Sequence, residues 1–71
     1  MLPKRYTLAV TVPDMDVFTA YWYGYGTLES VMPTENGWSI VTVDYGTDSY
    51  RAEYQAGRFA SGLYFATVLV S

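Results

Sequence analysis

Asp14 and Asp16, spaced D-x-D, are the first residues in the chain whose types and spacing could do chemistry. Two carboxylates so placed can offer oxygen ligands to a hard cation such as magnesium, but such an ion needs further oxygen donors. No third acid lies nearby in sequence, so the pair is assigned to capping and dipole compensation at a helix start. Asp44 and Tyr45 form a second pair, a carboxylate at a strand end beside a phenol, which is an arrangement used in general acid–base catalysis. The chain has no histidine and no cysteine, and no nucleophile or substrate-anchoring cluster accompanies the pair. Asp44 is therefore assigned to a turn. The stretch YGYGT, Tyr23 to Thr27, has glycines but neither G-x-G-x-x-G nor G-K-[ST], and it does not lead from a strand into a helix.

Surface aromatics survive this weighing best. Eight tyrosines and two tryptophans in 71 residues exceed what one small core can hold, so several rings must lie outside it. Tyr50 and Tyr54 sit one helical turn apart, with Arg51 and Arg58 beside them. Tyr and Arg are the residue types in which protein interfaces concentrate binding energy, because each gives large contact area and a polar end. Together with Trp38 and Tyr23 they form the candidate partner-binding set. The competing reading is internal, with Arg58 stacked on Tyr54 four residues away. A sheet that reads single-stranded RNA would also use exposed rings, here Trp38 or Tyr64, but it needs flanking cations. Only Lys4 and Arg5 lie near a strand end.

The elements that must position these residues read as follows. Tyr6 to Val12 alternates, with Tyr6, Leu8, Val10 and Val12 on one face, as a strand with one buried side does. Pro13 ends it, and Asp14 then caps a segment from Met15 to Tyr25. Its wheel gathers Val17, Phe18, Tyr21, Trp22 and Tyr25 on one side, which predicts a helix. Its valine, threonine and aromatic content suits a strand as well, leaving a hairpin partner as the competitor. Leu28 to Pro33 reads as a short edge strand because Pro33 cannot donate to a ladder on both sides. Asn36-Gly37 predicts a tight turn with both central residues at positive φ, pairing that strand with Trp38 to Asp44. The latter carries apolar groups on both faces, Trp38 and Ile40 against Val41 and Val43, as a central strand does.

From Thr47 onward an amphipathic helix runs into a charge-free strand. Ala52, Ala56, Phe59, Ala60 and Leu63 fall on the inner side of the wheel, and Tyr50, Arg51, Tyr54, Gly57, Arg58 and Ser61 on the outer. Thr47, Asp48 and Ser49 are candidate caps, and Gly62 is the candidate for the left-handed position at the C-terminus. Tyr64 to Ser71 then alternates with period two.

The order strand, helix, strand, strand, helix, strand predicts one α+β domain over residues 1–71. The fold expected is the ferredoxin-like split βαβ, a four-stranded antiparallel sheet with both helices on one face. The spatial strand order expected is fourth, first, third, second. The last strand is then an edge without lysine, proline or bulge. Tyr64, Ala66, Thr67, Val68 and Val70 are the candidates to pair with another strand, from a second copy across a two-fold axis or from a target.

Composition narrows the function classes. Without cysteine or histidine the usual zinc and redox-metal ligand sets cannot be assembled, and no cofactor is expected. Four basic residues against seven acidic ones, a net charge of −3, make no basic stripe for direct nucleic-acid binding. No apolar run reaches the ~20 residues of a spanning helix, and the start MLPKRY lacks the apolar region of a signal peptide, so a soluble cytoplasmic protein is expected. In size, acidity and aromatic content the chain is similar in general character to accessory proteins of bacteriophages, among them inhibitors of host defence systems. That resemblance implies a non-enzymatic module that binds another protein or protein complex and occupies its surface. The alternative is a structural or assembly protein acting as a homo-oligomer, such as a homodimer through the terminal strand.

Overall fold

The computed structural model describes residues 2–71. Its elements are β1 (Tyr6–Val12), α1 (Met15–Tyr21), β2 (Thr27–Pro33), β3 (Ser39–Asp44), α2 (Ser49–Ser61) and β4 (Phe65–Val70). The sheet order β2-β3-β1-β4, antiparallel throughout, is the ferredoxin-like order expected from the sequence. Register fixes the faces, because cross-strand partners share one. Leu8 pairs with Val43 and Val68, and Val10 with Val41 and Ala66. Leu8, Val10, Val12, Val41, Val43, Phe18, Ala52 and Phe59 form the buried core between this face and the helices.

Both helices start as their sequences dictate. Val17 N–H donates to the Asp14 carboxylate at 2.9 Å, and Arg51 N–H to the Asp48 carboxylate at 3.0 Å. Each bond satisfies an amide that the first turn would otherwise leave without a partner. The first helix is shorter than the Met15 to Tyr25 segment expected. It stops at Tyr21, with Trp22 extended and donating its backbone N–H to the Phe18 carbonyl. Positive φ at Gly24 (82°) and Gly26 (81°) then turns the chain into β2.

The end of α2 departs from expectation in an instructive way. Gly62 does not take the left-handed position; its φ is −87°. Leu63 takes it at φ 66° and is the one non-glycine residue at positive φ among those described. The bonds Tyr64 N–H to Phe59 O (3.0 Å) and Leu63 N–H to Ala60 O (2.9 Å) close a Schellman motif with Leu63 at its left-handed residue. Gly62 is needed for space: a Cβ there would lie 2.7 Å from Cζ of Tyr21. Leu63 is accordingly 94% exposed and not part of the inner stripe. Ala60 is exposed too, and the residues of α2 that are fully buried are Ala52, Gln55 and Phe59.

The β2–β3 turn also differs. Only Gly37 has positive φ (85°), Gly37 N–H donates to Thr34 O, and Thr34 N–H donates to Trp38 O. The loop is thus three residues with glycine at the left-handed position, and the Asn36 side chain braces it by accepting from Trp38 N–H at 3.0 Å. Ser39, Val41 and Val43 of β3 face the helices. Ile40, Thr42 and Asp44 face away, on a side of the sheet that no helix covers. β3 is central by its pairing but is packed on one face, not two.

Candidate functional site

The site grows from the loop after α1 and the outward side of α2. Trp22 anchors that loop by donating its indole N–H to the Tyr25 carbonyl at 2.7 Å. Gln55, fully buried within α2, accepts from Tyr23 N–H at 3.4 Å. These contacts and the two left-handed glycines set Tyr23 and Tyr25 against α2, where Tyr50, Arg51 and Tyr54 meet them. The five side chains line a groove of about 310 Å³. Gly26 is required there by close approach, since a Cβ would fall 2.7 Å from the Asp44 carbonyl.

Inside the cluster, arginines alternate with rings. The Arg51 guanidinium lies 4.0 Å from the Tyr25 ring centre, and that of Arg58 lies 4.5 Å from Tyr23 and 5.7 Å from Tyr21. Tyr23 and Tyr54 are 6.4 Å apart. Arg58 therefore stacks on the α1 side of the interface between helices, and not on Tyr54 as the internal reading supposed. Arg51 is further held by Asp48 at 3.1 Å. Cation–π contacts of this kind contribute about 0.5–1 kcal/mol each when exposed. They hold Tyr25 and Tyr23 without covering them, leaving these rings 44% and 50% exposed; Tyr54, beside Tyr23, is 50% exposed, and Tyr50 on the groove wall is 76% exposed.

Of the six candidate partner-binding residues, Tyr23, Tyr50, Arg51, Tyr54 and Arg58 are brought together. Trp38 is not. Its ring leans on Tyr64 at 6.3 Å, and Tyr64 in turn meets Tyr21 edge-on at 5.5 Å. Sequence reasoning missed Tyr25 as a member, because extending the helix to it turned its ring inward. It also missed Gln55, whose spacing of three from Ala52 and four from Phe59 was the available signal.

The acid–base candidates are occupied structurally. Asp44 accepts from Gly46 N–H at 2.7 Å and from the Arg5 guanidinium at 2.8 Å. The Gly46 bond first, and Arg5 second, hold its carboxyl below the ordinary value. Burial pushes the Tyr45 phenol up to about 12. The indole N–H is directed to Tyr25 O, and the Tyr45 hydroxyl is buried without a hydrogen-bond partner. Asp44 is thus engaged by the turn at Gly46 and by Arg5, the turn role assigned to it from the sequence. Among the described residues no group of three or more His, Cys, Asp or Glu side chains could hold a metal, and no helix is long and apolar enough to cross a membrane.

The candidate pairing strand β4 lies at a sheet edge, bonded to β1 alone. Arg5 and Ser71 exchange both backbone hydrogen bonds at 2.9 Å. Antiparallel alternation from that pair places Leu69, Thr67 and Phe65 in bonded pairs with Thr7, Ala9 and Thr11. The amides of Ala66, Val68 and Val70 therefore point outward, as expected of a pairing edge, whereas that of Thr67 points inward and only its side chain is available. The Tyr64 amide is likewise taken, by Phe59 O. On the uncovered face Phe65 is the only aromatic ring carried by a strand among the described residues, and Arg5 there is paired with Asp44.

No family model, no curated protein and no solved structure matches this chain.

Proposed function

We propose that this chain is a non-enzymatic protein-binding module that works by occupying a surface of a larger protein or complex, with the tyrosine–arginine groove as its contact face. The observation that carries the reading is the groove itself: four tyrosines and Arg51 line it, with Tyr23, Tyr25 and Tyr54 preset by stacking and the Tyr23 backbone held by Gln55. Preset aromatic side chains lose little entropy on binding, which is why they concentrate interface energy. A cytoplasmic, phage-type accessory protein directed at a host defence complex is the biological setting we favour. Its support is the small, acidic, aromatic-rich character of the chain.

The test is affinity capture from the cells in which the chain acts, followed by binding measurements on the captured protein. Tyr50→Ala combined with Tyr54→Ala should weaken binding by about 2 kcal/mol or more, roughly 30-fold in Kd, with folding nearly unchanged. Binding equal to the parent's would refute the groove as contact face. The second reading, a structural protein acting as a homo-oligomer, is supported by a different feature, the free edge of β4.

A further inference from the structure

The two edges of the sheet are not treated alike. β2 carries Glu29, a register irregularity between Leu28 and Ser30, and Pro33. Charge, bulge and proline are the devices by which natural sheets stop an edge from recruiting another strand. β4, FATVLV, carries none of them. Its outward amides at Ala66, Val68 and Val70 have no partner strand. Phe65 is 80% exposed and Leu69 and Val70 are 53% and 55% exposed, although the chain has 51% hydrophobic residues competing for one small core.

We infer that β4 pairs antiparallel with β4 of a second copy across a two-fold axis at Thr67, joining the two sheets into one. Three features of the strand select this occupant and this register. First, antiparallel pairing requires outward residues to face outward residues. With Thr67 opposite its own copy, Val68 faces Ala66 and Val70 faces Tyr64, so that condition is met along the whole strand. Val68 and Ala66 exchange main-chain bonds in both directions. The Val70 amide reaches the Tyr64 carbonyl, whose own amide is already bonded within its chain.

Second, side chains fit in size. On the uncovered face Phe65 of one copy lies opposite Leu69 of the other on both sides of the axis, and on the helix face the larger Val68 meets the smaller Ala66. Sliding the axis to Val68 instead would set Phe65 opposite Ser71 and lose this apolar pairing. Third, β4 contains no charge, so each copy's net −3 is carried elsewhere and like charges do not meet at the seam. The inference is independent of the tyrosine groove, which lies over the helices and uses none of these residues.

The experiment uses the full chain. Light scattering over a concentration series should show conversion from 8.0 kDa to twice that mass. Amides of Ala66 and Val68 should exchange at least roughly tenfold more slowly in the dimer. Thr67→Lys puts two like charges on the axis while leaving the backbone donor in place, and it should remain monomeric. Glu29→Lys, on the opposite edge, should dimerise as the parent does.

The register has its own test, because the chain has no cysteine. A non-bonded antiparallel pair holds its Cα atoms about 4.5 Å apart, within the range of a disulfide. Thr67→Cys should therefore cross-link to its own copy on mild oxidation, and Phe65→Cys alone should not. A parent that stays at 8.0 kDa up to about 1 mM, far above the Kd of a specific interface, overturns the proposal. So does a dimer that forms equally in Thr67→Lys. Cross-linking of Val68→Cys in place of Thr67→Cys overturns the register. Loss of dimer in Thr67→Lys with partner capture intact separates this inference from the groove, and the Tyr50/Tyr54 double variant gives the reverse pattern.

Discussion

Gly62→Ala tests the packing argument at the end of α2 most sharply. Backbone strain is not the issue, since φ of −87° suits alanine as well as glycine. Helix propensity alone would favour the change by roughly 0.5–1 kcal/mol. Against this stands the new methyl group, 2.7 Å from Cζ and 2.9 Å from Cε1 of Tyr21. A flexible side chain would swing aside, but Tyr21 is wedged. Its ring is 5.5 Å from Phe59, 5.5 Å from Tyr64 and under the Arg58 guanidinium. Moving it disturbs the joint between both helices and β4. Overpacking of this kind costs about 1–3 kcal/mol, which outweighs the propensity gain. The expected net is a loss of about 1–2 kcal/mol, or roughly 4–16 °C in Tm for a domain of this size.

The assay is thermal and urea unfolding at one fixed protein concentration, with a double-mutant cycle against Tyr21→Leu. Shortening the ring should remove most of the penalty, giving a coupling of about 1 kcal/mol or more between sites in contact. Leu63→Gly is the counterpart. It relieves a left-handed conformation that costs a side chain about 1–2 kcal/mol at a position 94% exposed, and should raise stability. Gly62→Ala within about 0.5 kcal/mol of the parent, or a penalty unchanged by Tyr21→Leu, would refute the reasoning.

Gln55→Met should change stability by less than about 1 kcal/mol, because relief of the buried, partnerless Nε2 is offset by loss of the acceptor for Tyr23 N–H. It should at the same time loosen Tyr23, seen as broadened resonances in the loop after α1. Tyr45→Phe removes a buried hydroxyl without a partner and should be neutral to stabilising. The native phenol titrates near 12 against 10.0 unfolded, so its contribution is complete below pH 10 and is lost as pH rises through about 12. The Phe variant should therefore fall less steeply than the parent across that window in urea titrations. The Asp44 carboxyl is held low, so its share of stability is present above its ordinary value of 3.8 and lost as pH falls through its lower native one; Asp44→Asn should flatten acid unfolding there. Unfolding should not respond to chelator or reductant, and a clear loss of stability with EDTA would show a metal contribution.

Element order and the N-terminal caps were legible in the sequence, because they rest on local chemistry. Asp14 and Asp48 bond amides three residues ahead, the β1 alternation separates two faces, and a charge-free final strand reads as such wherever it sits. From these and the handedness of crossovers the strand order follows. Tyr50, Arg51, Tyr54 and Arg58 could be grouped beforehand because a single helix brings them together.

What joined Tyr23 and Tyr25 to them was tertiary. The helix pattern ran on through Tyr25, but α1 ends at Tyr21, where Trp22 turns extended and Gly24 and Gly26 carry the loop onto α2. Arg58 chose Tyr23 over Tyr54 for the same reason, since the inter-helix ring lay nearer than the one on its own helix. Leu63 took the left-handed position expected of Gly62, and Gly62 is kept small because a through-space neighbour, the Tyr21 ring, claims the room a Cβ would need. Period and propensity report what a residue prefers among its chain neighbours, while the demand that decided these positions came from residues some 25 to 40 positions away. No local pattern encodes that demand.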